Sequence, residues 1–402
     1  MPTEKLYWAD PFATTFQTEG ARAGVFGAKP SIVLGRTLFY PEAGGQLPDR
    51  GTLAADGHVF AVDDVQIDDA GDIHHLVVGA GPAAILGNFV VTGTIDRERR
   101  RDHMAQHTAQ HALSRALEDV ARANTVSARL GARACTLDLD VDAVSDADLA
   151  RAEDAVNAMI LDDVEVRALF PSEAELRAMD LRRAPKVTTN VRVIDIAGFD
   201  LSPCGGTHCT RSGQIGVVRI AGTERVRGKL RVVFHAARRA IADARAKERV
   251  LADLAAELTC GLLDVGAAVG KLRADLKGQR EALSTARGEL VELVCARVLA
   301  EHPPDPSGTT RITLVRPSDD LGMLRALAGR LASRPDVVAV CASPTPNDTG
   351  PAGMMVVVQR GAEASFDCGL WLKTTAETHG SRGGGRPERA EGRLPHGAQF
   401  VL

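Results

Sequence analysis

The sequence predicts an α+β protein in four parts. These are a small N-terminal β-barrel over residues 1–95, an α+β metal-binding domain over 96–236, a helical hairpin or coiled-coil linker over 237–302, and a C-terminal α/β domain over 303–402. Three observations carry this division. Short β-type runs between residues 31 and 95 are punctuated by Gly, Pro and Asp at the spacing of a small barrel. Apolar side chains recur seven apart at Val269, Leu276, Leu283 and Leu290 in a stretch rich in Ala, Leu, Arg and Glu. A split set of soft-metal donors, His107 and His111 then Cys204 and His208, ties the segment between them into one folded unit.

Taken in order, the barrel strands are expected at 31–40, 58–67, 73–78 and 88–95. A helix follows near 99–120, then a strand at 133–139 and a helix at 146–159 entered by Ser145 as its N-cap. In the next part Leu272, Ala286 and Leu293 fill the complementary seam, while Gly261, Gly266 and Gly270 interrupt it, which favours two helices over one rod. From residue 311 the pattern reads strand, helix, strand, strand and helix, closing on the glycine run Gly383-Gly384-Gly385 beside Arg386. The stretch 342–353 holds Pro344, Pro346 and Pro351 and reads as an exposed loop.

At 402 residues with 45% hydrophobic and 4% aromatic content, the chain has the composition of a soluble protein whose cores rely on Ala, Val and Leu. The net charge of −4 supplies no global attraction for nucleic acid, so any such contact must come from local clusters such as Arg97, Arg99, Arg100 and Arg101. No basic segment with an apolar run opens the chain, and the cysteines at 135, 204, 209, 260, 295, 341 and 368 are odd in number and scattered. A reduced, cytoplasmic setting is the expectation.

Residues four apart on a helix share a face, so His107 and His111 can grip one ion, but so can His103 and His107, since all three lie within about 80° of one another. Spacing alone does not choose. In the loop, Gly205 and Gly206 let the backbone fold Cys204 and His208 inward and leave amide groups to face a ligand. Four protein donors make a closed, structural zinc site, whereas hydrolytic sites keep a position for water, and both remain open here. In the barrel, Phe39-Tyr40-Pro41-Glu42-Ala43-Gly44-Gly45-Gln46-Leu47-Pro48-Asp49 marks either an ordinary glycine turn or a backbone that approaches a ligand, with Gln46 presenting its amide. Gly383-Gly384-Gly385-Arg386 reads as a linker or as a flexible run holding a phosphate on backbone N–H groups.

Segments 39–49, 102–113 and 204–208 resemble the signature segments of the alanyl-tRNA synthetase editing domain and of the AlaX-type alanyl-tRNA editing proteins. Segment 383–390, Gly-Gly-Gly-Arg-Pro-Glu-Arg-Ala, resembles the C-terminal DHHA1 domain of the same synthetases. These matches stand in the family order and cover essentially the whole chain. No ATP-binding class II core precedes the barrel, so the chain resembles the long free-standing editing form, which does not charge tRNA.

The resemblance implies Zn2+ held by His107, His111, Cys204 and His208, with His103 left out. It implies hydrolysis of the ester joining serine, and also glycine, to tRNA(Ala). Serine differs from alanine by one hydroxyl, and an apolar synthetase pocket rejects such an isostere by only about a hundredfold, so a second sieve is needed. Gln46 and Thr207 are then the expected pocket residues that read the serine hydroxyl. No serine or cysteine nucleophile is required, and Cys209 is a bystander. Expected RNA contacts are Arg99, Arg100 and Arg101 near the acceptor end and Arg382 and Arg386 in the last domain, all salt sensitive. After Arg386-Pro387 the family continues into another glycine cluster, where this chain has Glu391-Gly392-Arg393-Leu394-Pro395. Two other readings stand beside editing of mischarged tRNA(Ala): a tRNA-binding protein with structural zinc, and a deacylase of seryl-tRNA(Thr), against which the DHHA1-like tail argues. The heptads are compatible with a homodimer through residues 237–302.

Overall fold

Six antiparallel strands, each sending apolar side chains inward, close into a barrel. In spatial order these are Thr15–Phe26, Lys29–Val33, Ile73–Val78, His58–Ile67, Gly51–Ala55 and Gly87–Ile95, which returns to the first. The computed structural model describes residues 2–78, 87–185, 187, 189–345, 353–395 and 397–402. Ile32, Leu53, Val62, Val65, Ile73 and Val91 fill the barrel interior. Gly93 is required there, because a Cβ would lie 2.2 Å from the Phe16 ring.

The expected strand over 31–40 is two pieces. Lys29–Val33 belongs to the barrel, whereas Arg36–Thr37 pairs in parallel with Glu4–Lys5. Ser31 to Leu34 and Thr37 to Pro41 are buried at consecutive positions, which a strand with one buried face cannot achieve, and the chain turns at Gly35. The strand Thr15–Phe26 was not expected. Only Phe16, Thr18 and Ala21 point inward along it, and a register shift at Gly20 (φ 77°) breaks the alternation.

Helix α1, Arg97–Ala121, starts where the Asp96 carboxylate accepts from the backbone N–H groups of Glu98 and Arg99, and ends on Arg122 in the left-handed conformation (φ 53°). Every side chain from His103 to Ser114 is buried, so His107 and His111 sit on a helix enclosed on all sides. Helix α2, Asp146–Leu161, begins at Ser145, whose hydroxyl accepts from Asp148 N at 3.1 Å. Both helices back onto a four-stranded antiparallel sheet ordered Val218–Val226, Lys229–Ala236, Cys135–Leu139 and Thr125–Leu130. Ala109, Leu113 and Leu117 of α1 share this core with Ala152, Val156, Leu137, Val232 and Phe234. Gln106 fixes the helix to the sheet, donating to Ala236 O at 2.9 Å and accepting from Ala236 N at 3.0 Å. A three-stranded sheet of Val166–Leu169, Val193–Ile196 and Asp200–Pro203 leads directly into Cys204, with the short helix α3, Glu173–Ala178, between its first two strands.

The chain divides into two compact units, residues 1–253 and 254–402, so the barrel and the expected metal-binding part lie in one unit. Helices α4, Ala237–Glu257, and α5, Val265–Glu301, occupy the expected linker. The break between them falls at 258–264, while Gly266 and Gly270 lie inside α5. Val291, Cys295 and Val298 of α5 pack on helix α6, Leu321–Leu331, whereas Leu272, Leu276, Leu283 and Leu293 are exposed.

The second unit holds a five-stranded sheet ordered Thr310–Val315, Val337–Thr345, Gly353–Arg360, Arg389–Pro395 and Gly383–Gly385. The expected order of strand, helix, strand, strand and helix is present, ending in helix α7, Cys368–Thr378. Part of the expected 342–353 loop is strand up to Thr345, and residues 346–352 lie outside the described residues. The glycine run read as a flexible phosphate loop is an edge strand instead. Gly383, Gly384 and Gly385 pair with Gly392, Glu391 and Ala390, and a Cβ on Gly385 would meet Ala390 at 2.5 Å and one on Gly383 would meet Leu372 at 3.1 Å, so these two glycines serve close packing while Gly384 faces open space.

Candidate metal centre

His107 and His111 project from one face of α1, and the loop after the strand Asp200–Pro203 brings Cys204 and His208 to meet them. One donor atom from each of these four residues lies within 4.8 Å of the others. The Cys204 Sγ is 3.4 Å from His107 Nε2 and 3.3 Å from His208 Nε2. Zinc bonds of 2.0–2.3 Å in tetrahedral geometry put neighbouring donors about 3.3–3.7 Å apart, so this set fits the ion. The buried His111 Nε2 has no hydrogen-bond partner among the described residues, as a donor reserved for a metal would. His103, also buried, stays outside the cluster.

Burial opposes the charged form of Cys204, but the imidazoles of His107, His208 and His111 override it and hold the thiol well below its ordinary range. Burial lowers His107 and, more strongly, His208, favouring neutral rings, whereas at His111 burial is outweighed by Cys204 and Asp200, which raise it. Thiolate and neutral imidazole are the forms that ligate zinc.

Each imidazole is oriented by a buried partner on its other nitrogen. His107 Nδ1 donates to Gln46 Oε1 at 2.7 Å, His111 Nδ1 to Asp200 Oδ2 at 3.2 Å, and His208 Nδ1 pairs with Thr108 Oγ1 at 3.3 Å. Gln46 therefore differs from its expected placement facing the pocket. Its Oε1 also accepts from Thr207 N at 3.2 Å and its Nε2 donates to Thr207 Oγ1 at 2.8 Å, and both residues are fully buried. They position the His107 ring and the ligand loop. Their amide and hydroxyl are committed to each other, which leaves the pocket wall to other side chains.

Backbone geometry makes this contact feasible. Gly44 and Gly45 have φ of 59° and 85°, and a Cβ on Gly45 would lie 2.5 Å from Ala128 O. Gly206 has no room for a Cβ, which would meet His107 Cε1 at 2.2 Å. Asp200, Thr108 and Arg192 carry no sequence signal of their own, since each acts across the fold.

A cavity of about 490 Å³ opens beside the cluster, lined by Tyr7, Trp8, Tyr40, Gln110, Arg183 and Arg192 together with His107 and Cys204. Trp8 Nε1 donates to Gly205 O at 2.9 Å, and Lys5 Nζ stands 4.5 Å from its ring. Cys209, beside His208, is buried, and that burial pushes its thiol up to about 12, which removes it as a nucleophile.

The expected RNA-contacting arginines separate. Arg100 is 1% exposed and its guanidinium bonds Asp49, Pro11 O and Leu38 O, so it bolts α1 to the barrel and cannot meet RNA. Arg99 is half-buried and donates to Pro48 O at 2.8 Å. Arg101, Arg382 and Arg386 are exposed.

Comparison with known proteins places the chain beside one group of relatives. Residues 191–233 match the family described as the threonyl and alanyl tRNA synthetase second additional domain, and residues 13–99 match tRNA synthetases class II (A). An alanine–tRNA ligase of Methanothrix thermoacetophila is 30% identical over 403 residues, covering 98% of this chain and 43% of that protein. One from Frankia alni is 31% identical over 405 residues, covering 96% of this chain and 43% of that protein. The chain thus spans less than half the length of these curated relatives. The solved C-Ala domain from the Aquifex aeolicus alanyl-tRNA synthetase aligns at 22% identity over 23% of this chain and 81% of that one, with a TM-score of 0.20 too low to bear on the fold. The loop holding Cys204 and His208 lies in the additional-domain match and Gln46 in the class II match, and the chain is an alanyl-tRNA-synthetase-like protein, related to the alanine–tRNA ligases along nearly its whole length.

Proposed function

We propose that this chain is a zinc-dependent aminoacyl-tRNA hydrolase that removes serine, and also glycine, from mischarged tRNA(Ala) in the cytoplasm. The observation that carries this reading is the four-donor cluster, with all three of its imidazoles oriented from behind, at the edge of a cavity large enough for an aminoacylated ribose. Zinc, when bound, supplies a Lewis acid beside the ester. Gln46 and Asp200 hold the His107 and His111 rings in register, and Thr207 holds the ligand loop to Gln46. Among the cavity walls, Gln110, whose Nε2 donates to Ser114 Oγ at 3.0 Å, offers its Oε1 as an acceptor for the substrate's hydroxyl or amino group. Arg99, Arg101, Arg382 and Arg386 remain as RNA contacts, with Arg100 withdrawn.

A second reading, a tRNA-binding protein with structural zinc, has the closed set of four protein donors in its favour. A third, action on seryl-tRNA(Thr), has the threonyl half of the matched family description. One assay separates all three: release of amino acid from seryl-, glycyl- and alanyl-tRNA(Ala) and from seryl-tRNA(Thr), with and without a chelator. The proposal expects chelator-sensitive loss of serine from tRNA(Ala) with alanine largely spared. Zinc-loaded protein that leaves every ester intact refutes it in favour of the structural reading.

A further inference from the structure

We propose that Arg192 is the phosphate anchor of this pocket, pairing with the phosphodiester on the 5′ side of the RNA's terminal nucleotide. The inference rests on the reading of the cavity as an aminoacyl-tRNA site and assigns the recognition of its anion. Arg192 is only 6% exposed, yet it lines the cavity beside the donor cluster. Its Nη1 donates to Cys204 O at 2.9 Å and Gly206 O at 2.8 Å, and its Nε has no partner among the described residues. No carboxylate forms an ion pair with it among the described residues, whereas the other buried arginines nearby are neutralised, Arg100 by Asp49 and Arg182 by Asp200. A guanidinium withdrawn from water without a counter-ion is costly unless an anion arrives to complete it.

The chemistry of the substrate narrows that anion. An aminoacyl ester has lost its carboxylate, so the negative group nearest the scissile bond is the phosphodiester of the same nucleotide. Guanidinium donors in a planar fork match phosphate oxygens. The neighbouring groups suit a single-stranded end as well: Arg192 lies 5.9 Å from the Trp8 ring centroid and Lys5 lies 4.5 Å from it, an indole with two cations. The Cys204 thiolate is the other negative charge close by, and it is committed to the donor cluster.

Fluorescence anisotropy of zinc-loaded protein with an uncharged hairpin RNA ending in single-stranded CCA reads this contact without hydrolysis. Arg192→Gln is expected to weaken binding several-fold and to reduce the slope of log affinity against log salt by about 0.7, the value for one phosphate of a single strand, with Arg192→Lys restoring the slope. An uncharged methylphosphonate at the terminal linkage should reproduce the loss with wild-type protein and add nothing to Arg192→Gln. Metal analysis runs alongside, because Arg192 also pins the ligand loop. Wild-type protein indifferent to the methylphosphonate overturns the anchor, including where Arg192→Gln sheds zinc, and so do additive losses from the two changes. Wild-type protein that shows the phosphate dependence but spares the seryl ester overturns the hydrolase reading and leaves the anchor standing.

Discussion

His111 Nδ1 lies 3.2 Å from Asp200 Oδ2, and neither side chain is exposed. Burial would by itself raise the pKa of this carboxyl, but the bond to His111 and the Arg182 guanidinium at 2.7 Å hold it far below the ordinary carboxylate range. Asp200 therefore stays ionised, accepts the Nδ1 proton and turns Nε2 toward the other donors. Asp200→Asn should weaken zinc binding about 10- to 100-fold and, because it also leaves the buried Arg182 without its counter-ion, should lower stability as well. Titration against a competing chelator measures this, and unchanged affinity would show that Asp200 does not orient the ring.

Arg100 and Asp49 form a pair whose side chains are each 1% exposed. Removing one partner leaves a buried charge uncompensated, so Arg100→Met should cost about 3–5 kcal/mol of stability. Denaturant unfolding reads that loss. RNA affinity per folded molecule should not change, and a selective fall in affinity with stability preserved would return Arg100 to the RNA-binding surface.

His75 is held at about 4, below its ordinary value of 6.5, because burial penalises the cation. Its Nδ1 bonds Ile32 O at 2.9 Å and its Nε2 bonds Thr37 Oγ1 at 2.8 Å, an arrangement made by the neutral ring. Since the folded pKa is depressed, the unfolded chain binds the proton first as the pH falls. Stability is therefore full above about pH 6.5 and declines on acidification toward pH 4, by on the order of 3 kcal/mol from this residue. His75→Gln should flatten the pH dependence of unfolding free energy across that window. Parallel profiles for the two proteins would assign the acid sensitivity elsewhere.

Leu276 and Leu283 of α5 are 48% and 54% exposed, seven residues apart on one seam. If that seam pairs two copies, Leu276→Glu with Leu283→Glu should halve the mass seen by light scattering. A single-copy mass for the wild-type chain would rule the dimer out.

The clustering of the candidate metal donors was legible in part, because each pair is only four residues apart, although spacing alone left His103 beside His107 and His111. Helices α1 and α2 were placed within two residues at each end because the apolar rhythm and, for α2, the Ser145 cap are local signals. Their supports were not legible: Asp200 meets His111 across 89 residues and Thr108 meets His208 across 100. The run of arginines misled for a related reason. Helical rotation turns Arg100 into the protein and Arg101 out of it, and only the partner Asp49, 51 residues away, reveals which is which. At the C-terminus, Gly383 to Gly385 looked flexible because glycine permits many conformations, whereas α7 and Ala390 crowd that edge and select an extended one.

Gly206 has a consequence for what the site can tolerate. A methyl there would overlap the ring that Gln46 holds, so the loop and the imidazole fit together only with glycine at this position. The barrel, by lending Gln46, braces a loop that lies about 160 residues further along the chain, and a change confined to the barrel reaches the four donors through that one amide.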